Sequence, residues 1–384
     1  MNIILMLIGV VIVYKVISVV YKKNWDKNLS SDIVFSHTTA TKGDKIELVE
    51  TVVNAKRLPV FCMNVKFDID RSFIFGQKDT NSMVSDKTYR NDVFSLLSNQ
   101  KVTRRIEVEC SRRGVYRLDV VEMVFPGAFM NEIMIHRSRL YSNITVFPKP
   151  ADVSQLSDVN NMVMGELERK KYLSEDKFVF AGIRDYQSYD SIRDINWNAY
   201  AKTGNLMVNH YNETVSRNVC LLLNLESEGA YMQEDIVEQA ISIAAALSQM
   251  LVSRGVNVSM ISNGRDIDTK ANITIQPGSG LSHFNQINME LARIDVSQAM
   301  DEFADMLTAM NKDNKVSSNS IKRQDDMVYV LISANKNDRI RKTAQLIMDK
   351  QYNKIWIVPQ VVSGVGSMYY EDVLKGKNDA DKTY

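Results

Sequence analysis

From Asn2 to Tyr21 the chain reads NIILMLIGVVIVYKVISVVY, an apolar run broken only by Lys15. Crossing the hydrocarbon core of a bilayer takes roughly 20 such residues. The run has no polar face and stands at the terminus, which weighs against a buried core helix. Lys22, Lys23 and Lys27 follow it, whereas a cleaved leader carries its basic residues before the apolar stretch and small residues after it. We therefore expect a transmembrane helix over 1–21 and a juxtamembrane segment over 22–31. The lysines, with Lys15 snorkelling toward the same side, orient the rest of the chain to the cytoplasm, as a single-pass protein of the cell membrane.

The chain has 384 residues, 45% hydrophobic and 24% charged, enough for two to three domains with real cores. Lys and Arg number 47 against 46 Asp and Glu, a net charge of +1 that argues against a nucleic-acid partner. Cys62, Cys110 and Cys220 are scattered, as free thiols of a reducing compartment are, and each is expected to be a small buried apolar residue. His37, His136, His210 and His283 form no HExxH and no pair at ligand spacing, so neither a zinc site nor any cofactor is expected.

Residues 32–148 read as an all-β sandwich. Phe61, Met63, Val65, Phe67 and Ile69 alternate with polar residues or cysteine at the period of a half-buried strand. Val102, Ile106 and Val108, then Tyr116, Leu118 and Val120, repeat the pattern, and Ser111-Arg112-Arg113-Gly114 between them predicts a hairpin. Residues 149–183 turn polar and read as a partly helical linker. From 212 to 384, unbroken apolar runs such as Val219–Leu223 and Met327–Ile332 alternate with helical stretches such as Glu234–Arg254. That order belongs to a parallel sheet covered on both faces, a doubly wound α/β domain.

No P-loop, dinucleotide fingerprint or Gly-x-Ser-x-Gly elbow is present. The densest constellation lies in 184–211, where Arg184, Asp185, Asp190, Arg193 and Asp194 mix with Tyr186 and Trp197. Ser191 with Asp194 resembles a capping box, Ile192, Ile195 and Ala199 fall on one helical face, and Gly204 can close the helix. Two uses fit these groups: a recognition surface built on charge-assisted bonds and cation–π contacts, or a salt-bridged latch. A hydrolase using Asp190, Asp194 or Glu226 as a base is a third possibility. Aspartates beside Arg193 read more simply as ion-paired, which lowers their pKa.

The residues Arg184, Tyr186, Asp190, Arg193, Ile195, Trp197, Ala201, Gly204, Leu206 and Val208, at their spacing, resemble the signature of DUF58 proteins. Lys56–Pro59, Arg112–Arg117 and Ile144–Pro148 resemble further family pieces in the family's order. The chain departs from the family at Ser188-Tyr189, where Pro-Gly is usual, at Phe125–Phe129, and in having one apolar N-terminal segment instead of a pair. The resemblance implies a C-terminal von Willebrand factor A-like (Rossmann-like) domain. Metal-binding versions of that domain carry Asp-x-Ser-x-Ser after the first strand. Here Asn224, Glu226 and Glu228 stand at those positions, a set ill-suited to small octahedral Mg²⁺, so no metal is expected. The family is further expected to work with MoxR-type AAA+ ATPases and other membrane A-domain proteins in assembly or chaperone-like complexes. The expectation is a non-enzymatic, membrane-anchored adaptor, with Arg184, Tyr186, Asp190, Arg193, Trp197 and Gly204 in its docking surface. The alternative is an A-type adhesion or ligand-binding protein displayed at the cell surface.

Overall fold

The computed structural model describes residues 2–76, 81–126, 132–173, 180–187, 190–211, 217–227, 234–316, 327–347, 355–362 and 365–371. It divides into two compact units, Met1–Lys149 and Pro150–Tyr384.

The first unit opens with helix α1 (Asn2–Asn24). Ten strands follow: β1 (Leu29–Phe35), β2 (Thr39–Thr41), β3 (Lys45–Asn54), β4 (Val60–Asp70), β5 (Phe73–Phe75), β6 (Ser82–Val84), β7 (Lys87–Leu96), β8 (Gln100–Cys110), β9 (Gly114–Pro126) and β10 (Ile133–Phe147). They form a four-stranded sheet, β1-β3-β8-β5, and a six-stranded sheet, β2-β10-β9-β4-β7-β6. The residues of one period-2 set on each strand point into a shared core. Ile33, Leu48, Val52 and Phe73 from the first sheet meet Val65, Phe67, Phe94, Val121, Met123 and Ile144 from the second.

Two expectations for this unit need correction. Strands β8 and β9 do not make a hairpin: β8 ends in the four-stranded sheet and β9 begins in the six-stranded one. The glycine signal was real, since Gly114 has φ +153° and a side chain there would meet the Tyr116 ring at 3.0 Å. A tight turn that changes sheets and one that reverses within a sheet share that local chemistry. Cys110 and Cys220 are buried, but Cys62 is exposed beside the irregular register at the start of β4.

The second unit begins with α2 (Val153–Leu173). The hairpin strands β11 (Phe180–Asp185) and β12 (Met207–Tyr211) flank a short helix, α3 (Trp197–Thr203). Then come β13 (Asn218–Leu223), α4 (Glu234–Ser253), β14 (Asn257–Arg265), β15 (Asn272–Gly278), α5 (Leu281–Arg293), α6 (Phe303–Val316), β16 (Met327–Ile332), α7 (Asp338–Ile347), β17 (Ile355–Val362) and β18 (Val365–Glu371). The main sheet has the order β15-β14-β13-β16-β17-β18, with four central parallel strands and an antiparallel strand at each edge.

Both faces of that sheet are covered, which is why its strands read as continuous apolar runs. Val219, Leu221 and Leu223 pack with α2, α4 and α5. Cys220, Leu222 and Trp356 pack on the other face with Phe303 and Leu307 of α6 and Ile340 and Ala344 of α7. The stretch read as a linker is for the most part α2, whose Leu156, Val159, Val163 and Leu167 belong to the first of these cores. Among the described residues α4 has the length and composition of a possible membrane span, and it lies mostly buried in the α/β core.

Candidate functional site

The signature residues are held in a closed excursion between β11 and β12. Asp185 pairs with Met207 at its base, and the Tyr186 N–H donates to the Leu206 carbonyl at 2.9 Å. Arg184 reaches from β11 to grip Asp190 with two bonds of 2.6 Å, Nη1 to Oδ2 and Nη2 to Oδ1. Asp190 Oδ2 also accepts from the Gln187 N–H at 2.9 Å. A bidentate guanidinium–carboxylate pair fixes direction as well as distance. The Arg184 hydrogen bond holds the Asp190 carboxyl below the usual carboxylate range. The partner of Asp190 is thus Arg184, six residues upstream, and not the neighbouring Arg193.

The single capped helix expected here is two pieces. Ser191 caps a one-turn 3₁₀ helix over Ile192–Asp194, its Oγ accepting from the Arg193 N–H at 3.3 Å. Ile195 then leaves the helical path to bridge Val208 of β12. Asn196 starts α3, accepting from the Ala199 N–H at 2.9 Å, while its Nδ2 donates to Asn209 Oδ1 at 2.7 Å. Gly204, with φ +73°, ends it in the left-handed conformation glycine tolerates. Ile195 is therefore the buried pin of the segment, and Ile192 and Ala199 do not share a helical face with it.

What remains is unusually apolar for a surface. Ile192 is 69% exposed and Trp197 59% exposed, with Tyr200 and Leu206 at 41% and 43%. The Trp197 and Tyr200 rings stand edge to face, their centroids 6.2 Å apart. Neither the 3₁₀ turn nor α3 buries a residue. Tyr186 is half-buried. Ser188 and Tyr189 lie outside the described residues, as does Glu228.

The second place of interest is the carboxyl end of the central strands, where open α/β sheets hold their ligands. Asn224, just past β13, is buried there. Its Nδ2 donates to Ser333 Oγ at 2.9 Å, and its Oδ1 accepts from Asn263 Nδ2 and from the Glu226 N–H, both at 3.0 Å. Asn263 Oδ1 accepts from the Leu225 N–H at 2.9 Å. Ser333 Oγ donates to the Asn335 carbonyl at 2.9 Å, and Trp356 Nε1 donates to the Ser333 carbonyl at 3.0 Å. Both lone pairs of the Asn224 oxygen are spent, and its amide nitrogen is a donor that offers no lone pair to a cation. Burial pushes the nearby Glu226 carboxyl up. These residues do not fit a divalent cation. Among the described residues no group of three or more His, Cys, Asp or Glu could hold one.

Sequence reasoning missed Trp356, which lies far from Asn224 in the chain and carries no motif. It also missed a groove of about 770 Å³ on the six-stranded sheet, where Met83, Tyr89 and Val120 mix with Lys66, Glu122 and Arg137 in the lining.

No curated protein matches the chain. Among solved structures, it is similar to a CARDB domain of a Pyrococcus furiosus protein crystallised with two metal ions, at 13% identity and a TM-score of 0.21, over 31% of this chain and 91% of that one. A cohesin from Archaeoglobus fulgidus matches at 11% identity and a TM-score of 0.19, over 30% of this chain and 89% of that one. An exo-β-N-acetylglucosaminidase from Vibrio harveyi matches at 10% identity and a TM-score of 0.21, over 63% of this chain and 47% of that one. Likenesses this slight carry no argument about function. Residues 182–335, from the strand that opens the signature hairpin to the asparagine that closes the polar network, match the family model of DUF58, a protein of unknown function, and this supports a DUF58 family protein.

Proposed function

We propose that this protein is a non-enzymatic adaptor, anchored in the cell membrane by α1 with its body in the cytoplasm, that docks a MoxR-type AAA+ ATPase in assembly or chaperone-like complexes. In this reading the second unit is a von Willebrand factor A-like platform that has lost its metal, and other membrane A-domain proteins are further partners. The observation that carries it is the exposed face of Ile192, Trp197, Tyr200 and Leu206 on a segment stiffened from within by the Arg184–Asp190 clamp. A latch would bury those side chains; a docking surface presents them, and aromatic anchors dominate such interfaces. The satisfied amide–hydroxyl network at the strand ends favours a structural role there over adhesion through a metal. The anchor reading is supported by α1 itself, whose apolar side chains from Met6 to Val20 are exposed on all sides.

The test is affinity capture from native membranes by the full-length protein in detergent, with and without ATP. An AAA+ ATPase retained in a nucleotide-dependent way, and lost with Trp197→Ala at unchanged thermal stability, is the expected result. Failure to retain any ATPase under either condition overturns the adaptor reading.

A further inference from the structure

The end of the β unit from which α1 emerges carries three large apolar side chains on two backbone segments, the β3–β4 connection with the start of β4 and the residue after β7. Leu58 is 71% exposed, Phe61 83% and Leu97 69%. They sit side by side because Asn54 Nδ2 donates to the Leu58 carbonyl at 3.0 Å and to the Leu97 carbonyl at 2.8 Å, while Phe61 adjoins the β4 terminus that pairs with Leu96.

This tip is tied directly to the end of α1. The Lys56 amino group donates to the Trp25 carbonyl, and the Ala55 N–H donates to the Asn28 carbonyl at 2.8 Å. Trp25 in turn packs its ring edgewise on Phe125, centroids 5.1 Å apart, and Lys22 pairs with Glu132 at 2.9 Å. If α1 spans the bilayer, Trp25 and Asn28 lie at its surface, and residues hydrogen-bonded to them cannot be far from it. The segments that carry the tip and the end of α1 also bring exposed Lys23, Lys27, Arg57 and Lys101, beside Lys22 and Lys56, which are engaged with Glu132 and the Trp25 carbonyl.

We propose that Leu58, Phe61 and Leu97 form a second membrane contact, dipping into the interface of an anionic leaflet while these cations meet lipid phosphates. Separate apolar protrusions accompanied by lysine and arginine suit a deformable lipid surface, which closes around each side chain, better than a protein groove, which requires a continuous ridge. An indole at the interface is the customary companion of such a contact. The consequence is a body seated upright on the membrane instead of swinging on its helix. The proposal rests on the anchor reading of α1.

The experiment uses the full chain reconstituted in phosphatidylcholine vesicles with and without phosphatidylserine. An environment-sensitive fluorophore is placed on the native exposed Cys62, next to Phe61, and quenched by nitroxides attached to the lipid. A control chain with Cys62→Ser and Ile74→Cys carries the label at the opposite end of the sandwich, where Ile74 pairs near the end of β8. Retention after alkaline carbonate reports α1 insertion independently. We expect carbonate-resistant protein, quenching at Cys62 roughly twofold or more above that at position 74, as a label held about 5–10 Å into the headgroup boundary experiences, and loss of that excess with Leu58→Ser/Leu97→Ser. Carbonate-resistant protein whose Cys62 label is quenched no more than the control overturns the proposal and leaves the anchor standing. Extraction by carbonate overturns both.

Discussion

Glu50 is the side chain whose perturbation tests the physics of the β unit most directly. It points from β3 into the core, fully buried, with both carboxylate oxygens lacking a hydrogen-bond partner. Directly across the ladder is Arg104, and the cluster continues to Asp92, which is buried and ion-paired to both Arg90 and Arg104. Burial, with the Asp92 charge adding to it and the two guanidinium groups opposing, pushes the Glu50 pKa from an ordinary 4.5 up to about 8. Below pH 4.5 the folded and unfolded chains both hold the proton. Between 4.5 and about 8 the unfolded chain releases it and the folded chain keeps it, so stability falls by about 1.4 kcal/mol for each pH unit. Above pH 8 the loss levels off, at an upper limit of about 5 kcal/mol. Arg104 is partly open to water, and screening there brings the expected loss to about 2–5 kcal/mol. Glu50→Gln has no proton to release, so its stability relative to wild type should rise by that amount between mildly acid and mildly alkaline pH. Pulse proteolysis in urea, with peptides of residues 29–147 counted by mass spectrometry, isolates the β unit. Histidine titrations elsewhere cancel in the difference between the two proteins. A difference that stays flat with pH refutes a protonated Glu50 in the fold.

Three further outcomes are expected. Burial pushes the Cys110 and Cys220 thiols up to about 11, so a maleimide should label Cys62 in the native protein and the other two only after denaturation, as peptide mapping would report. Trp356→Phe removes the Nε1 bond to the Ser333 carbonyl and part of a fully buried ring, and calorimetry should register a loss of about 1–3 kcal/mol in the second unit. Asn224→Asp replaces a donor to Ser333 Oγ with an acceptor. It should destabilise the same unit by about 1–3 kcal/mol, and millimolar Mg²⁺ should not restore its melting temperature; restoration would show that the strand ends can still host the ion.

Which parts of this fold could be read in advance follows from the range of the interactions involved. Val219–Leu223 announced a strand buried on both faces because hydrophobic continuity is a local property of five residues. The buried face of α2 was equally local, since Leu156, Val159, Val163 and Leu167 recur at helical spacing, but the many polar residues between them masked a helix that covers a core. The path of the chain from β8 to β9 depended on which sheet β9 joins, a choice made by pairing with β4 and β10 that no turn residue encodes. In the signature segment, the charged and aromatic residues were legible from their density. The grip of Arg184 on Asp190 was not, because it follows from the reversal of the chain between β11 and β12. At the strand ends the substitution of Asn224 for a carboxylate was visible, while its bonds to Asn263 and Ser333 followed only from the register of the neighbouring strands.

The placement of α2 has a consequence for how the chain is made. This helix leaves the ribosome early, yet the surfaces that cover its Leu156, Val159, Val163 and Leu167 include Ile355 and Ile357 of β17. Synthesis at 5–20 residues per second puts roughly 190 residues, or about 10–40 s, between the helix and the last strand of its core. Throughout that interval the β unit is complete and free to fold, while the apolar stripe of α2 waits for the part of its cover that β17 supplies. The nascent chain is therefore most exposed to aggregation and to chaperone capture in the second half of its translation, and a pause introduced before β17 should lengthen that window more than one placed before β10.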